Sequence, residues 1–372
     1  MHRSALDPPA YNQVEVSIFG SGYGESVIIH LGNGVWMIID SCRDSSGNPA
    51  PLQYLHQIDV NPAEAVAKVV VTHWHDDHIS GLSEIFEECV NAEFVCSVAQ
   101  RDRDFLTFIY TYDEARMMRR TGVKEFRRVL DLLAKRSASV IWAVEMRRIY
   151  HRIEPQNTLK ATVWALSPSD RAVTLAKQSI AELLPKANTV QRAAVPTDPN
   201  FFTIVLFIEV EELRILLGAD LIETHHNEVG WSRIVKLKNK EKFNQASIFK
   251  VPHHGSETAD IEEIWTELLN ADPIALVTPF VLGKASLPKC SDILRICQHT
   301  DNGYIAAPPR TPRSKRRDNA VERSIREHNI FLRTAIGPMG QVRVRWSSNS
   351  VDSLPNIELF GSALPLAQCK CK

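Results

Sequence analysis

Three histidines and two aspartates fall within six consecutive residues, His73-Trp74-His75-Asp76-Asp77-His78, one residue after the apolar stretch V-A-K-V-V-V at residues 66–71. A valine-rich run of that length suits a strand buried on both faces. The turn that leaves such a strand can aim several side chains into one cleft. Buried imidazoles and carboxylates are costly unless paired or bound to a cation. Imidazole with carboxylate suits Zn²⁺, Mn²⁺ or Fe²⁺, and no thiolate is involved. His73, His75, Asp77 and His78 are therefore candidate metal ligands, with Asp76 outside the set. His30, His56, His151, His299 and His328 stand alone and read as structural.

The rest of the chain alternates strands with helices. Residues 14–19 alternate polar and apolar, the period of a half-buried strand. Residues 26–31 and 35–39 read as the next two strands, joined by Gly32-Asn33-Gly34. The third runs into Asp40. Helices are expected at 51–58, 80–90 and 171–184. Later strands are expected at 162–166, 202–209, 213–217, 247–251 and 274–278. Residues 213–217 lead into Gly218-Ala219-Asp220, and residues 247–251 into Pro252-His253-His254-Gly255-Ser256. Residues 101–136 read as a mostly helical, locally basic insertion. The run P-P-R-T-P-R-S-K-R-R at 308–317 reads as an exposed loop, and residues 331–346 as a terminal hairpin.

Bulk properties exclude several classes. The 372 residues carry a formal net charge of −1, with 44% apolar and 23% charged residues. That is an ordinary globular composition, without a field that would steer the whole molecule to nucleic acid. No run approaches the roughly 20 apolar residues that span a bilayer. The seven cysteines are scattered, so a disulfide framework is not expected and a reducing cytoplasm is. Cys369 and Cys371 read as part of a frayed tail.

The H-x-H-x-D-H segment resembles the signature of the metallo-β-lactamase superfamily. Residues 20–29 with Met37-Ile38-Ile39-Asp40 look like its opening strands, and Gly218-Ala219-Asp220 like its bridging aspartate. Val251-Pro252-His253-His254-Gly255-Ser256 is similar to the late histidine motif of the hydrolase domain of bacterial DNA-uptake (competence) proteins. The resemblance implies an α/β fold, a four-layer αβ/βα sandwich, over residues 1–310. A helical insertion would occupy about 99–145, and an extension at 311–372 would pack on the same domain.

It also implies two divalent cations, Zn²⁺ first, with Mn²⁺ or Fe²⁺ as alternatives. His73 and His75 would hold one; Asp77, His78 and His253 the other; Asp220 would bridge them. His254 would face the substrate and, with Asp77, serve the reaction. Asp40 and Thr72 would orient imidazoles. Many family members carry a further histidine for the first metal; the stretch Thr197 to Thr203 has none, and Asn200 stands there instead.

The expected activity is hydrolysis by a metal-bound hydroxide, with a phosphodiester or nucleic acid as substrate. Arg313, Lys315, Arg316 and Arg317 are candidate phosphate contacts. Ester, lactone or thioester hydrolysis is the alternative, as is an interaction subunit of a multi-protein system, for example in defence. No membrane role is expected.

Overall fold

The computed structural model describes residues 6–114, 121–153, 158–184, 199–224, 226–241, 243–309, 319–327, 339–347 and 354–369. The first strands are β1 (Gln13–Gly20), β2 (Glu25–His30), β3 (Trp36–Ile39), β4 (Val66–Val70), β5 (Glu93–Ser97) and β6 (Val140–Ala143). Then come β7 (Arg147–Arg152), β8 (Ala161–Ala165), β9 (Leu206–Val210), β10 (Leu213–Leu217), β11 (Ala246–Lys250) and β12 (Leu269–Val277). The last are β13 (Phe280–Leu282), β14 (Ala285–Leu287), β15 (Gly303–Ile305), β16 (Gly340–Ser347), β17 (Asn356–Gly361) and β18 (Leu364–Pro365). One sheet runs β17-β16-β1-β2-β3-β4-β5-β6 and the other β18-β15-β12-β11-β10-β9-β8-β7, while β13 and β14 form a separate hairpin.

Side chains alternate across each strand, so every central strand serves two cores. Val16, Ile29, Ile39 and Val70 meet Val163, Ile208, Ile215 and Leu276 between the sheets. The opposite face of the first sheet, with Ile28, Ile38 and Phe94, packs on Leu55, Phe86, Phe105 and Phe126 from helices. The opposite face of the second, with Phe207, Leu216 and Phe249, packs on Trp231, Ile234 and Ile296. Each such side chain stabilises the fold by about 1.5–3 kcal/mol relative to exposure. The result is the expected four-layer αβ/βα sandwich.

Strands β3 to β6 run parallel, as do β10, β11, β12 and β15. Crevices beyond the carboxyl ends of parallel strands are where α/β folds place ligands. Asp40, the signature segment, Asp220 and the late histidines all follow such ends.

Three sequence expectations are corrected. Strand β1 is buried at all eight positions. Its polar face carries Glu15 and Ser17, covered by Tyr54 and by Arg343 and Arg345 of β16. The expected terminal hairpin has its first arm, 331–334, outside the described residues, and its second arm lies in β16 paired with β1 and β17. Cys369 is buried rather than frayed. The segment read from the sequence as an insertion contributes the helices Arg103–Glu114 and Thr121–Arg136, both packed against the signature side of the first sheet.

Candidate metal centre

Beyond β4 the chain stays extended through His75, then forms the short helix Asp76–Ile79. Ser41 N–H donates to the His78 carbonyl at 2.6 Å, tying that helix to the end of β3. The insertion fixes the other side. Trp74 packs edge-on against Phe105 at 5.9 Å and Phe108 at 5.0 Å. Gly122 N–H, in the first turn of the Thr121–Arg136 helix, donates to Asp76 Oδ1 at 2.6 Å. A Cβ at Gly122 would lie 2.5 Å from that oxygen and 2.9 Å from the Trp74 carbonyl, so only glycine permits this approach. Asp76 thus ties the signature loop to this helix.

Two groups of donor atoms converge. His73 Nε2 lies 3.1 Å from His75 Nδ1 and 4.0 Å from Asp220 Oδ2. His78 Nε2 lies 3.4 Å from Asp220 Oδ2 and 3.7 Å from Asp77 Oδ2. His254 Nε2 lies 3.3 Å from Asp77 Oδ2 and 3.7 Å from Asp220 Oδ2. Asp220 belongs to both groups. Its Oδ1 is buried and has no hydrogen-bond partner among the described residues. A buried carboxylate with one oxygen unpaired and the other facing imidazole nitrogens is the environment a divalent cation satisfies. The residues present fit a divalent metal site.

The far edges of the same rings are held by other groups. Thr72 Oγ1 lies 3.0 Å from His73 Nδ1 and donates to Asp40 Oδ2 at 2.6 Å, while Asp40 Oδ2 lies 2.8 Å from His78 Nδ1. Glu25 approaches His78 Nδ1 at 3.8 Å and His254 Nδ1 at 3.4 Å. Glu25 and Asp40 therefore sit behind the imidazoles, where a carboxylate fixes the tautomer that leaves Nε2 for a cation. Lys250, also buried, pairs with Glu25 at 2.6 Å, and Thr278 Oγ1 donates to the same carboxylate. Glu25 and Lys250 were not among the residues expected from the sequence. The signals they leave there are an acidic residue opening an apolar strand and a lone lysine in S-I-F-K-V just before the late histidines.

Electrostatics follow from burial and crowding. Burial opposes charge on His78, but Asp220, Asp77, Glu25 and Asp40 outweigh it and hold its pKa well above the usual imidazole range. His254 is raised in the same way, against burial, by Asp220, Asp77 and Glu25. His73 is pushed well below, first by burial and then by the neighbouring imidazoles. Asp77 is held at about 2: burial would raise it, and His78 and His254 lower it. Burial pushes the Asp40 carboxyl up despite its bonds to His78 and Thr72. The carboxylates thus favour the charged form of His78 and His254, while His73 is kept neutral.

The resemblance implies His253 as the ligand and His254 as the substrate-facing residue. His254, not His253, joins the carboxylates; it is 1% exposed. His253 lies on the cavity wall, its Nδ1 3.2 Å from Thr258 Oγ1 and its Nε2 3.4 Å from Asn200 Nδ2. Both have left-handed backbones, φ 46° and 55°, as do Asp40 at 58° and Ala219 at 42°. Such strain collects where a fold aims side chains at a site. Ser256 caps the turn Glu257–Ala259.

Arg313, Lys315, Arg316 and Arg317 lie outside the described residues. Of the insertion's described cations, Arg127 pairs with Asp131, Arg128 pairs with Glu125, and Arg136 donates to the carbonyls of Phe86 and Glu87. No described helix is long and apolar enough to cross a membrane.

Residues 20–103 match the family model of the metallo-beta-lactamase superfamily. That stretch holds Glu25, Asp40, His73, His75, Asp77 and His78, while Asp220 and both late histidines lie beyond it. Among solved structures the chain is similar to the metallo-beta-lactamase fold protein YhfI from Bacillus subtilis, at 12% identity over 64% of this chain and 70% of that one, with a TM-score of 0.32. It is similar to a Cronobacter sakazakii metallo-beta-lactamase at 12% identity, over 66% and 78%, with a TM-score of 0.33. It is also similar to the short form of human tRNase Z at 10% identity, over 63% and 76%, with a TM-score of 0.31. No curated protein matches the chain. The family match supports a relation to that superfamily through the part of the chain that carries the signature.

Proposed function

We propose that this chain is a metal-dependent hydrolase. The observation that carries the reading is the convergence of imidazole and carboxylate donors into two groups that share Asp220. His73, His75 and Asp220 would hold one cation, and Asp77, His78, Asp220 and His254 the other. When bound, divalent cations supply Lewis acidity, lowering the pKa of their water and offsetting charge that develops on the scissile group. The donor set suits Zn²⁺, and Mn²⁺ or Fe²⁺ as well.

The chain's own residues do the rest. Asp77 stays ionised on the cavity wall and orients water by accepting a hydrogen bond. His253 takes the substrate-facing role and donates a proton to the leaving group. Asn200, beside it, hydrogen-bonds the scissile group rather than serving as a metal ligand. Asp40, Thr72, Glu25 and Lys250 keep the imidazoles in place.

A phosphodiester is our first assignment for the bond, on the resemblance of His253-His254-Gly255-Ser256 to the late histidine motif of the hydrolase domain of DNA-uptake proteins. An ester, lactone or thioester is the second reading, favoured by the carbon-rich cavity walls. Protein loaded with Zn²⁺, Mn²⁺ or Fe²⁺ should be assayed against bis-p-nitrophenyl phosphate, single- and double-stranded DNA, RNA and a lactone panel. Turnover of lactones alone would sink the phosphodiester assignment. No turnover with any metal would sink the hydrolase reading.

A further inference from the structure

The cavity over the donor atoms has two chemically different parts. Its floor is the polar cluster. Its walls are largely carbon: Tyr23, Phe280, Leu282 and Leu287 come from the first glycine turn and the β13–β14 hairpin, and Trp74 and Val123 from the signature loop and insertion. Among the described residues, no lysine or arginine lines it. The cavity measures about 280 Å³, near the small end of pockets for small molecules, roughly 300–1,000 Å³. A polynucleotide site instead needs cations for phosphates along a groove.

The hairpin is built to present apolar groups. Phe280 and Leu282 are two residues apart on one strand and so share a face, and Leu287 pairs directly with Phe280. All three meet the cavity, whereas Val281 and Ser286, on the alternate face, do not. The hairpin is anchored by a bridge from Phe280 to Gly22, with Val281 N–H donating to the Gly22 carbonyl. The Phe280 ring lies 5.2 Å from His254 and 5.7 Å from Tyr23. Leu282, at the tip, is 58% exposed, so its apolar surface remains available to whatever enters.

Building on the hydrolase reading, we propose that the β13–β14 hairpin is its specificity element. The substrate is a small molecule with an apolar aryl or alkyl group beside the scissile bond. Binding is tested first, by calorimetry of phenylphosphonate against methylphosphonate on zinc-loaded protein. The phenyl compound is expected to bind at least about tenfold more tightly, as one well-placed apolar contact allows. Kinetics then compare p-nitrophenyl phenylphosphonate with the p-nitrophenyl ester of thymidine 5′-phosphate, which share a leaving group. The phenyl substrate should lead in kcat/KM, chiefly through KM. Leu282→Asp, at an exposed position, and Phe280→Ser should keep the metal content and erase the difference between the phosphonates. Equal binding of the two phosphonates, preference for the nucleoside ester, or a difference that survives both variants would overturn the inference while leaving the hydrolase reading standing. Failure to bind either phosphonate, with no turnover of any substrate, would remove both.

Discussion

The two late histidines are neighbours in the chain and have different surroundings. His254 is enclosed by Asp77, Asp220 and Glu25, whereas His253 stands on the cavity wall beside Asn200. His254→Ala should therefore lower the metal content by roughly one equivalent, since a divalent site loses a deprotonated ligand. His253→Ala should keep both equivalents and lose kcat. Mass spectrometry of metal content decides, and unchanged metal in His254→Ala would refute the assignment. Their order is not legible in the sequence because the left-handed backbone at both residues sets which imidazole turns inward. His30 is a buried histidine of another kind. Its Nδ1 lies 2.8 Å from the Gln13 carbonyl, and its Nε2 accepts from Gly34 N–H at 3.0 Å, a pair of roles only neutral imidazole fills. Burial, with Arg152 and Arg345 nearby, pushes its pKa down to about 4 against the bond to Gln13. The unfolded chain takes up this proton below about pH 6.5 and the folded one does not, so stability present above that pH is lost as pH falls towards 4. The effect should reach about 3 kcal/mol. Urea midpoints between pH 7 and 4 should fall less steeply in His30→Gln than in the wild type; parallel curves would show that His30 does not titrate this way.

At the level of elements, the insertion acts as a brace for the signature loop. Phe105 and Phe108 of its first helix pack on Trp74, its second helix donates a backbone N–H to Asp76, and Gly122 is what lets that helix approach. Gly122→Ala should push the Thr121–Arg136 helix off the loop at a cost of about 1–3 kcal/mol and weaken metal binding. Thermal unfolding and a metal titration measure the two effects, and an unchanged metal affinity would mean that the loop holds its shape alone. Much of this centre is legible in the amino-acid sequence. Four candidate ligand positions, His73, His75, Asp77 and His78, follow a strand whose apolar pattern marks its end, and Asp220 is implied by the family resemblance. The supporting groups are not. Glu25 and Lys250 are single charges in strands, and only the folded pairing shows that each neutralises the other. The β13–β14 hairpin is short and carries no periodic signal. Strands β6 and β7 escape a reading of local pattern because tertiary pairing is what makes them strands.

At the scale of the whole molecule, the two ends of the chain are welded into one sheet. β16 pairs with β1 along its full length, from Gln13 opposite Ser347 to Gly20 opposite Gly340. The weld is ionic as well as hydrogen-bonded. Arg345 Nε donates to Glu15 Oε2 at 2.7 Å, and Ser17 Oγ and Tyr54 Oη donate to the other oxygen. Glu15 and Arg345 are 0% and 2% exposed. Polar residues at alternate positions of β1 look like a solvent face in the sequence, and they are instead half of a network whose other half lies some 330 residues away. A buried pair adds little net stability, but removing one partner strands the other's charge at a cost of about 3–5 kcal/mol. Arg345→Met should therefore destabilise the fold by that order. Glu15→Gln combined with Arg345→Met should recover a large part, because no buried charge is then left alone. Chemical denaturation of the single and double variants gives the coupling directly. The transition should stay single and cooperative, since β1 also leads into the turn that carries the hairpin anchor at Gly22 and then into Glu25 at the start of β2. A separate early transition in Arg345→Met would show instead that the last strands fold as an independent appendage, and the metal centre would then be indifferent to their loss.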